Sequence, residues 1–435
     1  MKNNTIILML AACVASLPAF GQELFKSTID TATTVANKNL KMKPNSNEIE
    51  ANFLSGYYNQ DGNNSPVTGG VGTEELTDFA NVFIVNVPVD SVNAVSLFMG
   101  VDAYTSASTD NIDSNVSSAS SQDARTYGTL SYTRKNLKRA ESYGLRAGFS
   151  TEYDYKSFSA GFALSKEWNE GNTELNFTGQ AFFDKWNGKD GRAKLIYPEL
   201  WLGTATGAVG PDNPYGFGEL KNSNRNSYNA QLFLSQVLTT RLQVGISAEL
   251  IYMRGLLSTP FHSVYFADGI APDVFFDIER LPSSRLKIPL GVRLNYFPLS
   301  FLVLRSNYRY YTDDFGINAH TFEFETPIKF GSSFTVSPFY RYHTQTASKY
   351  FAPKYQHLST SDFYTSDYDL SELQSHKYGV GLKYYPTFGL LRSQPIFKSH
   401  GVFMFKYVEL RGAVYERSPS LKAYNISLNL GFGFK

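Results

Sequence analysis

Cysteine is almost absent from this chain: Cys13 is the single copy in 435 residues. It falls in the apolar N-terminal stretch, so once that stretch is cleaved no disulfide and no thiolate metal site can form. Net charge is equally slight, at +1 from 40 basic and 39 acidic residues. No field of one sign therefore points to nucleic acid or to an acidic partner. Long apolar runs are missing too, since nothing after the N-terminus approaches the ~20 continuous apolar residues of a spanning helix. The histidines, His262, His320, His343, His357, His376 and His400, make no HxxH or HExxH spacing, which argues against a metalloenzyme. His343 can be set beside Ser361 and Asp362 on paper as a barrel-rim triad. No nucleophile motif accompanies them, and no enzyme is expected. Internal repeats and low-complexity tails are also lacking.

What is present begins with an export signal. Lys2 supplies a positive start, Ile6 to Leu17 an apolar core, and Ala19-Phe20-Gly21 a small-x-small cleavage site before Gln22. A lipoprotein box at Leu10-Ala11-Ala12-Cys13 competes with it. That box would leave an apolar core of about eight residues, near the short end for a signal. The organisation read here is a signal peptide at 1–21, a short polar periplasmic segment at 22–47, and one β-domain at 48–435. The 22–47 segment is too small to plug a large barrel.

Tyr and Phe are the informative excess, at 29 and 34 copies, and aromatic residues suit pleated strands and membrane interfaces. Mean hydropathy, −0.26, does not discriminate, because polar lumen positions cancel lipid-facing ones in a barrel. Period-two patterning does. Near the C-terminus Tyr424, Ile426, Leu428, Leu430, Phe432 and Phe434 alternate with Asn425, Ser427, Asn429, Gly431 and Gly433. Alternate side chains of a strand point to opposite faces, so one face is apolar and the other polar and narrow. Ten or eleven residues is long for a sandwich strand and right for a tilted crossing of a bilayer. Phe432 and Phe434 also look like a terminal assembly signal, although Lys435 follows them. The stripes through Leu242–Tyr252 and Leu286–Tyr296 repeat the pattern, with charges on the second face that suit a wet lumen better than lipid.

Segments of this kind centre near Phe53, Val85, Leu97, Leu130, Ala147, Ala160, Phe177, Leu232, Ile246, Leu290, Leu304, Phe324, Val336, Leu382, Phe405 and Leu428. The expected fold is all-β: a transmembrane antiparallel β-barrel of about sixteen strands, within a range of fourteen to eighteen. The first, fourth, twelfth and fifteenth strands are weak, and Lys406 spoils either choice of lipid face in the fifteenth. Long connections at 59–78, 105–125, 185–227, 253–283 and 345–375 all fall on one side. Tight turns such as Asp90-Ser91 and Thr239-Thr240 fall on the other, with 386–399 as the exception. Short periplasmic turns and long external loops follow the barrel rule.

Two sets of charged residues suggest what the barrel does. On strands nine to fourteen the inferred inner face carries Arg241, Lys287, Arg293, Arg305, Arg309, Arg341 and Lys383, against Glu249. The connections opposite carry Asp61, Glu74, Glu75, Asp78, Asp110, Asp113 and Asp123. A basic wall facing acidic loops sets up a transverse field in a porin-like channel for small polar or anionic solutes. Equally, the two sets can pair and rigidify a closed barrel that scaffolds an envelope complex. Asp61, Asn63 and Ser65 have the alternating oxygens of a calcium loop, so a structural calcium is a candidate against plain turn chemistry. No other cofactor is expected. The expected partners are outer-membrane lipids and the barrel assembly machinery, with an envelope protein under the scaffold reading.

The strings QDGNNSPVTGGVGTEELTD, DAYTSASTDNID, SPFYRYHTQTASKYF, YTSDYDLS and YERSPSLKAYNISLNLGFGF resemble an uncharacterised family of bacterial outer-membrane proteins, catalogued as a domain of unknown function. The resemblance spans nearly the whole mature chain. It implies one barrel domain in the outer membrane of a Gram-negative cell, and it transfers no catalytic residue. The resemblance further implies that genes for flavin transfer or thioredoxin-like proteins often lie near such members, an expectation of a redox or envelope-maintenance setting for the scaffold alternative.

Overall fold

The computed structural model describes residues 48–105, 123–152, 155–186, 224–259, 262–269, 276–393 and 402–434. The expected signal peptide, the 22–47 segment, Asp110, Asp113 and His400 lie outside them. The alternating stripes form long strands: β1 (Ile49–Gly62), β2 (Leu76–Pro88), β3 (Asn93–Tyr104), β4 (Asp123–Asn136), β5 (Glu141–Thr151), β6 (Tyr155–Trp168) and β7 (Thr173–Trp186). Next come β8 (Asn224–Thr239), β9 (Leu242–Gly255), β10 (Ser263–Tyr265), β11 (Phe276–Ile278), β12 (Ser284–Leu299), β13 (Leu302–Asp313) and β14 (Asn318–Glu325). The chain ends with β15 (Ile328–Phe330), β16 (Phe334–Gln345), β17 (Leu373–Tyr384), β18 (Leu391–Ser393), β19 (Phe403–Arg417) and β20 (Leu421–Phe434).

β10 and β11 pair with each other outside the main sheet. β15 continues the line of β14 against β13 and β16, and β18 continues that of β17 against β19. The remaining count is sixteen staves, each of the expected centres falling in one. Every neighbouring pair is antiparallel, and β1 meets β20 from Ile49↔Phe434 to Gly62↔Leu421. The ring is closed, so no strand edge is left for lipid to strip of hydrogen bonds. No helix among the described residues is long and apolar enough to cross a membrane.

The pairing sorts side chains onto two faces. Phe53, Phe83, Met99, Leu130, Ala147, Leu430 and their period-two neighbours share the outer face, where Leu145 and Ile426 are widely exposed. Phe432 and Phe434 are also outward. Phe432 stacks on Phe403 and Phe405 of β19, with centroids 5.8 and 5.1 Å apart, and Phe434 meets Phe403 at 5.1 Å. These contacts make an aromatic girdle at the periplasmic end.

The two irregular strands have local causes. In β19 the β20 register shifts between Phe405↔Phe432 and Tyr407↔Gly431, leaving Lys406 as a bulge residue. Its ammonium lies 3.0 Å from both Glu48 and Glu50, so the lysine that suits neither face belongs to the bulge. In the twelfth stave Thr326-Pro327 interrupts the ladder between β14 and β15. The connection at 385–402, long for the periplasmic side, contains β18 and so is partly strand.

Inside, aromatic rings lie flat over glycines. A Cβ on Gly431 would stand 2.1 Å from the Tyr407 ring, and one on Gly100 2.2 Å from that of Tyr127. Gly431→Val should therefore displace Tyr407 and disturb the β19–β20 seam at its bulge. The wild type should migrate as a compact band until heated. The variant should lose most of that heat-modifiable form, and Tyr407→Ala should restore part of it by vacating the space.

Candidate functional site

The inward faces of β12 to β19 bear an ionic ladder. Arg305 reaches Glu325 at 3.2 Å, and Glu325 also takes Arg411 at 2.9 Å. Arg411 in turn lies 3.3 Å from Glu409, which Lys383 approaches at 3.3 Å. Arg341 pairs with Glu323 at 3.3 Å and Arg309 with Glu249 at 3.4 Å. Arg293 stacks over Phe233, and Lys287 stands opposite Asp313 in the β12–β13 register. The side chains of Arg305, Arg309 and Glu323 are 47%, 44% and 43% exposed, although their register points them into a closed ring. Arg241 differs from its expected place: it lies in the β8–β9 turn and donates to the Pro298 carbonyl at 3.3 Å. Strand β9 begins one residue later, so this side chain belongs to the periplasmic rim and not to the lumen wall.

The adjoining wall, from β20 through β1 to β4, is packed. Ala80, Val82, Ile84, Tyr58, Tyr127, Leu421 and Ala423 form one buried cluster on the inner faces of β1, β2, β4 and β20. Asp78 is wholly buried in that wall, as is Asp102, which accepts from Tyr127 at 3.0 Å. The expected acidic loops are thus dispersed. Asp78 is enclosed, Glu74 is engaged by Arg417 at 3.6 Å, Glu75 is exposed, and Asp123 opens β4. Glu74, Glu75 and Asp78 do not face the basic wall as one surface, because β2 and the loop before it fold onto their own neighbours. The proposed calcium set is split as well: Asp61 and Asn63 are exposed, while Ser65 is buried in its own turn. There its carbonyl accepts the Gly70 amide at 2.8 Å.

Three external loop regions pack into a single cap: residues 63–75, the described residues 256–259, 262–269 and 276–283, and residues 346–372. Val264, Phe266 and Tyr364 form its buried core, with Phe266 and Tyr364 edge to face at 4.9 Å. Backbone bonds join the second and third loops, from Ala267 to His357 at 2.8 Å and from Tyr364 to Arg280 at 2.7 Å. The first loop is pinned by Lys354, which donates to the Thr68 carbonyl at 3.0 Å and lies over Tyr265. Gly69, at φ 78°, is needed because a Cβ there would enter the Tyr265 ring at 2.5 Å.

Arg417 ties this cap to the barrel. It sits on the inward face of β19, is buried, and pairs with both Glu74 and Asp369. Gln345, inward at the end of β16, donates to the Asp369 and Ser371 carbonyls at 2.9 and 2.8 Å. Both contacts draw the loops in over the lumen.

His262, Glu279 and Asp367 lie together deeper in the cap. Burial works against a charged His262 imidazole, but the carboxylates of Glu279, Asp367 and Asp369 outweigh it and raise its pKa. Burial, with Asp369 adding to it, raises the Asp367 carboxyl. His343 bonds to Thr321 at 2.8 Å and Gln345 at 3.3 Å, not to Ser361 or Asp362, so the paper triad does not assemble.

Removing one partner of a buried ion pair typically costs about 3–5 kcal/mol. Arg417→Met should therefore loosen the cap and leave the staves intact. Limited proteolysis should cut within 63–75 or 346–372 at least tenfold faster, with heat-modifiability unchanged. An unaltered cleavage rate would show that Arg417 does not hold the loops.

Fold likeness to known structures is distant. A bacterial polysaccharide outer membrane secretin matches over 89% of this chain and 99% of its own at 8% identity, with a TM-score of 0.40. The outer membrane protein opdK from Pseudomonas aeruginosa matches over 88% and 99% at 9% identity and a TM-score of 0.38. The TodX monoaromatic hydrocarbon channel matches over 91% of each chain at 9% identity and a TM-score of 0.35. At these values the likenesses carry no argument about activity. Curated proteins give no match. A family model described as a protein of unknown function, DUF3570, matches residues 8–389, and the chain belongs to that family.

Proposed function

We propose that this protein is an outer-membrane channel in which small polar solutes pass along the β12–β19 side of the lumen, beneath a loop cap that narrows the external mouth. The observation that carries the reading is the exposure of the inward charges. Arg305, Arg309 and Glu323 keep two-fifths or more of their side-chain surface open while facing the interior of a closed ring. Isolated charges in a dry interior would each cost several kcal/mol. Half-exposed ones in lateral pairs are the ordinary economy of a water-filled space, each pair worth roughly 0.2–1 kcal/mol.

The lateral pairing also revises the expected selectivity. The basic wall carries its own counter-charges, Glu249, Glu323, Glu325 and Glu409. Ordered rows of both signs on one surface favour zwitterionic or neutral polar solutes over simple anions. The packed cap around Val264, Phe266 and Tyr364 favours a second reading, a closed barrel whose loops dock a partner.

Planar-bilayer conductance separates the two. The channel reading expects a measurable conductance with weak ion selectivity. Replacing Arg305, Arg309 and Arg341 together by Gln strips charge from one side of the ladder only. Selectivity should then shift several-fold toward cations at 0.1 M salt, and the shift should shrink at 1 M, where the Debye length is ~3 Å. A wild type that stays silent, even when the cap is loosened by Arg417→Met, would overturn the channel and support the docking barrel.

A further inference from the structure

We propose that His262, Glu279 and Asp367 form a binding site for one divalent transition-metal ion of the zinc type, which staples the segments carrying His262 and Glu279 to the 346–372 loop. This site lies in the cap and is independent of whether the barrel conducts.

Its ground is the spacing of the donor atoms. One nitrogen or oxygen from each of the three residues lies within 4.8 Å of the other two. His262 Nδ1 is 3.5 Å from Glu279 Oε1 and 3.8 Å from Asp367 Oδ2. Charge-assisted N–H···O bonds close to about 2.7–2.9 Å, and both distances here are longer than that. His262 Nδ1 is enclosed by protein and makes no hydrogen bond. Ligands about 2.1 Å from a zinc ion at tetrahedral angles stand roughly 3.4 Å apart. A buried imidazole nitrogen facing two carboxylate oxygens at that separation has the geometry of a ligand set.

The surroundings fit as well. Carboxylates that ligate a metal are themselves held by hydrogen bonds, and both carboxylates here are. Glu279 accepts from the Thr259 amide at 2.7 Å and from the Thr365 hydroxyl at 2.6 Å. Asp367 accepts from the Asp369 amide at 2.9 Å through its other oxygen. One imidazole and two carboxylates leave a fourth tetrahedral position for water. Calcium, which takes six to eight oxygens at 2.3–2.6 Å, would be short of ligands and mismatched to the imidazole. Sequence spacing hides the set, because the ligands stand 17 and 88 residues apart and meet only through the β10–β11 hairpin and the returning third loop.

The test uses the full barrel in detergent, stripped with chelator and titrated with zinc alone, with calcium as the control. Wild type should bind one zinc per chain, and cobalt in its place should give the intense visible absorption of a tetrahedral ion. His262→Gln and Asp367→Asn, which keep size and most hydrogen bonds, should each weaken zinc at least tenfold while remaining heat-modifiable. Zinc should also slow proteolysis of the cap in the wild type and not in the variants. No saturable zinc binding by the wild type would overturn the site, leaving the three residues as an ordinary charge cluster. Undiminished affinity in both variants would overturn it too, by placing any zinc elsewhere. If only a variant fails to fold, the wild-type stoichiometry, the cobalt spectrum and the other variant still decide.

Discussion

In hydrocarbon a backbone N–H or C=O without a partner costs several kcal/mol, and no water is present to supply one. The chain meets that constraint by joining its last strand to its first, fourteen residues against fourteen along β1 and β20. Everything else in the structure depends on that seam. Closure forces each strand to choose one lipid face and one lumen face, fixes which loops share an end, and turns the alternating sequence into two concentric surfaces. The bulge at Lys406 lies beside this seam, where β19 takes up one extra residue and two glutamates at the start of β1 receive the lysine.

The inner surface is lopsided. On the β20–β4 side it is packed, with Tyr58, Tyr127, Val82 and Ile84 buried together and Asp78 and Asp102 enclosed among them. On the β12–β19 side it is polar, and arginines and glutamates alternate between neighbouring strands. On the channel reading, the apolar side would narrow the bore and the charged side would keep what remains hydrated. The cap is fastened to both β16 and β19.

The fold was legible in the sequence because lipid and water on opposite faces write a period of two that no other fold sustains over so many ten-residue stripes. Phe322-Glu323-Phe324-Glu325 carries that signal so plainly that the two counter-charges of the basic wall could have been read beside the arginines. Glu409 and Arg411 could not, because plain alternation from Phe405 assigns them to the lipid face and only the Lys406 bulge turns them inward. Arg241 was misplaced for a related reason: a turn residue next to a regular stripe looks like its continuation. The cap was out of reach altogether. Its core residues, its Arg417 tie and the His262–Glu279–Asp367 cluster come from loops far apart in sequence, and only the closed ring brings those loops together.

The central claim is that water lines one wall of the lumen and not the other, and site-directed thiol labelling tests it most directly. With Cys13 replaced by serine, single cysteines at Glu323, Arg341, Ala80 and Val82 report on the two walls of the folded barrel. A small membrane-impermeant thiol reagent should label positions 323 and 341 rapidly in the native protein, and positions 80 and 82 only after heat unfolding. Equal protection at all four would contradict a water-filled path along β12–β19. Equal labelling would contradict the packed wall.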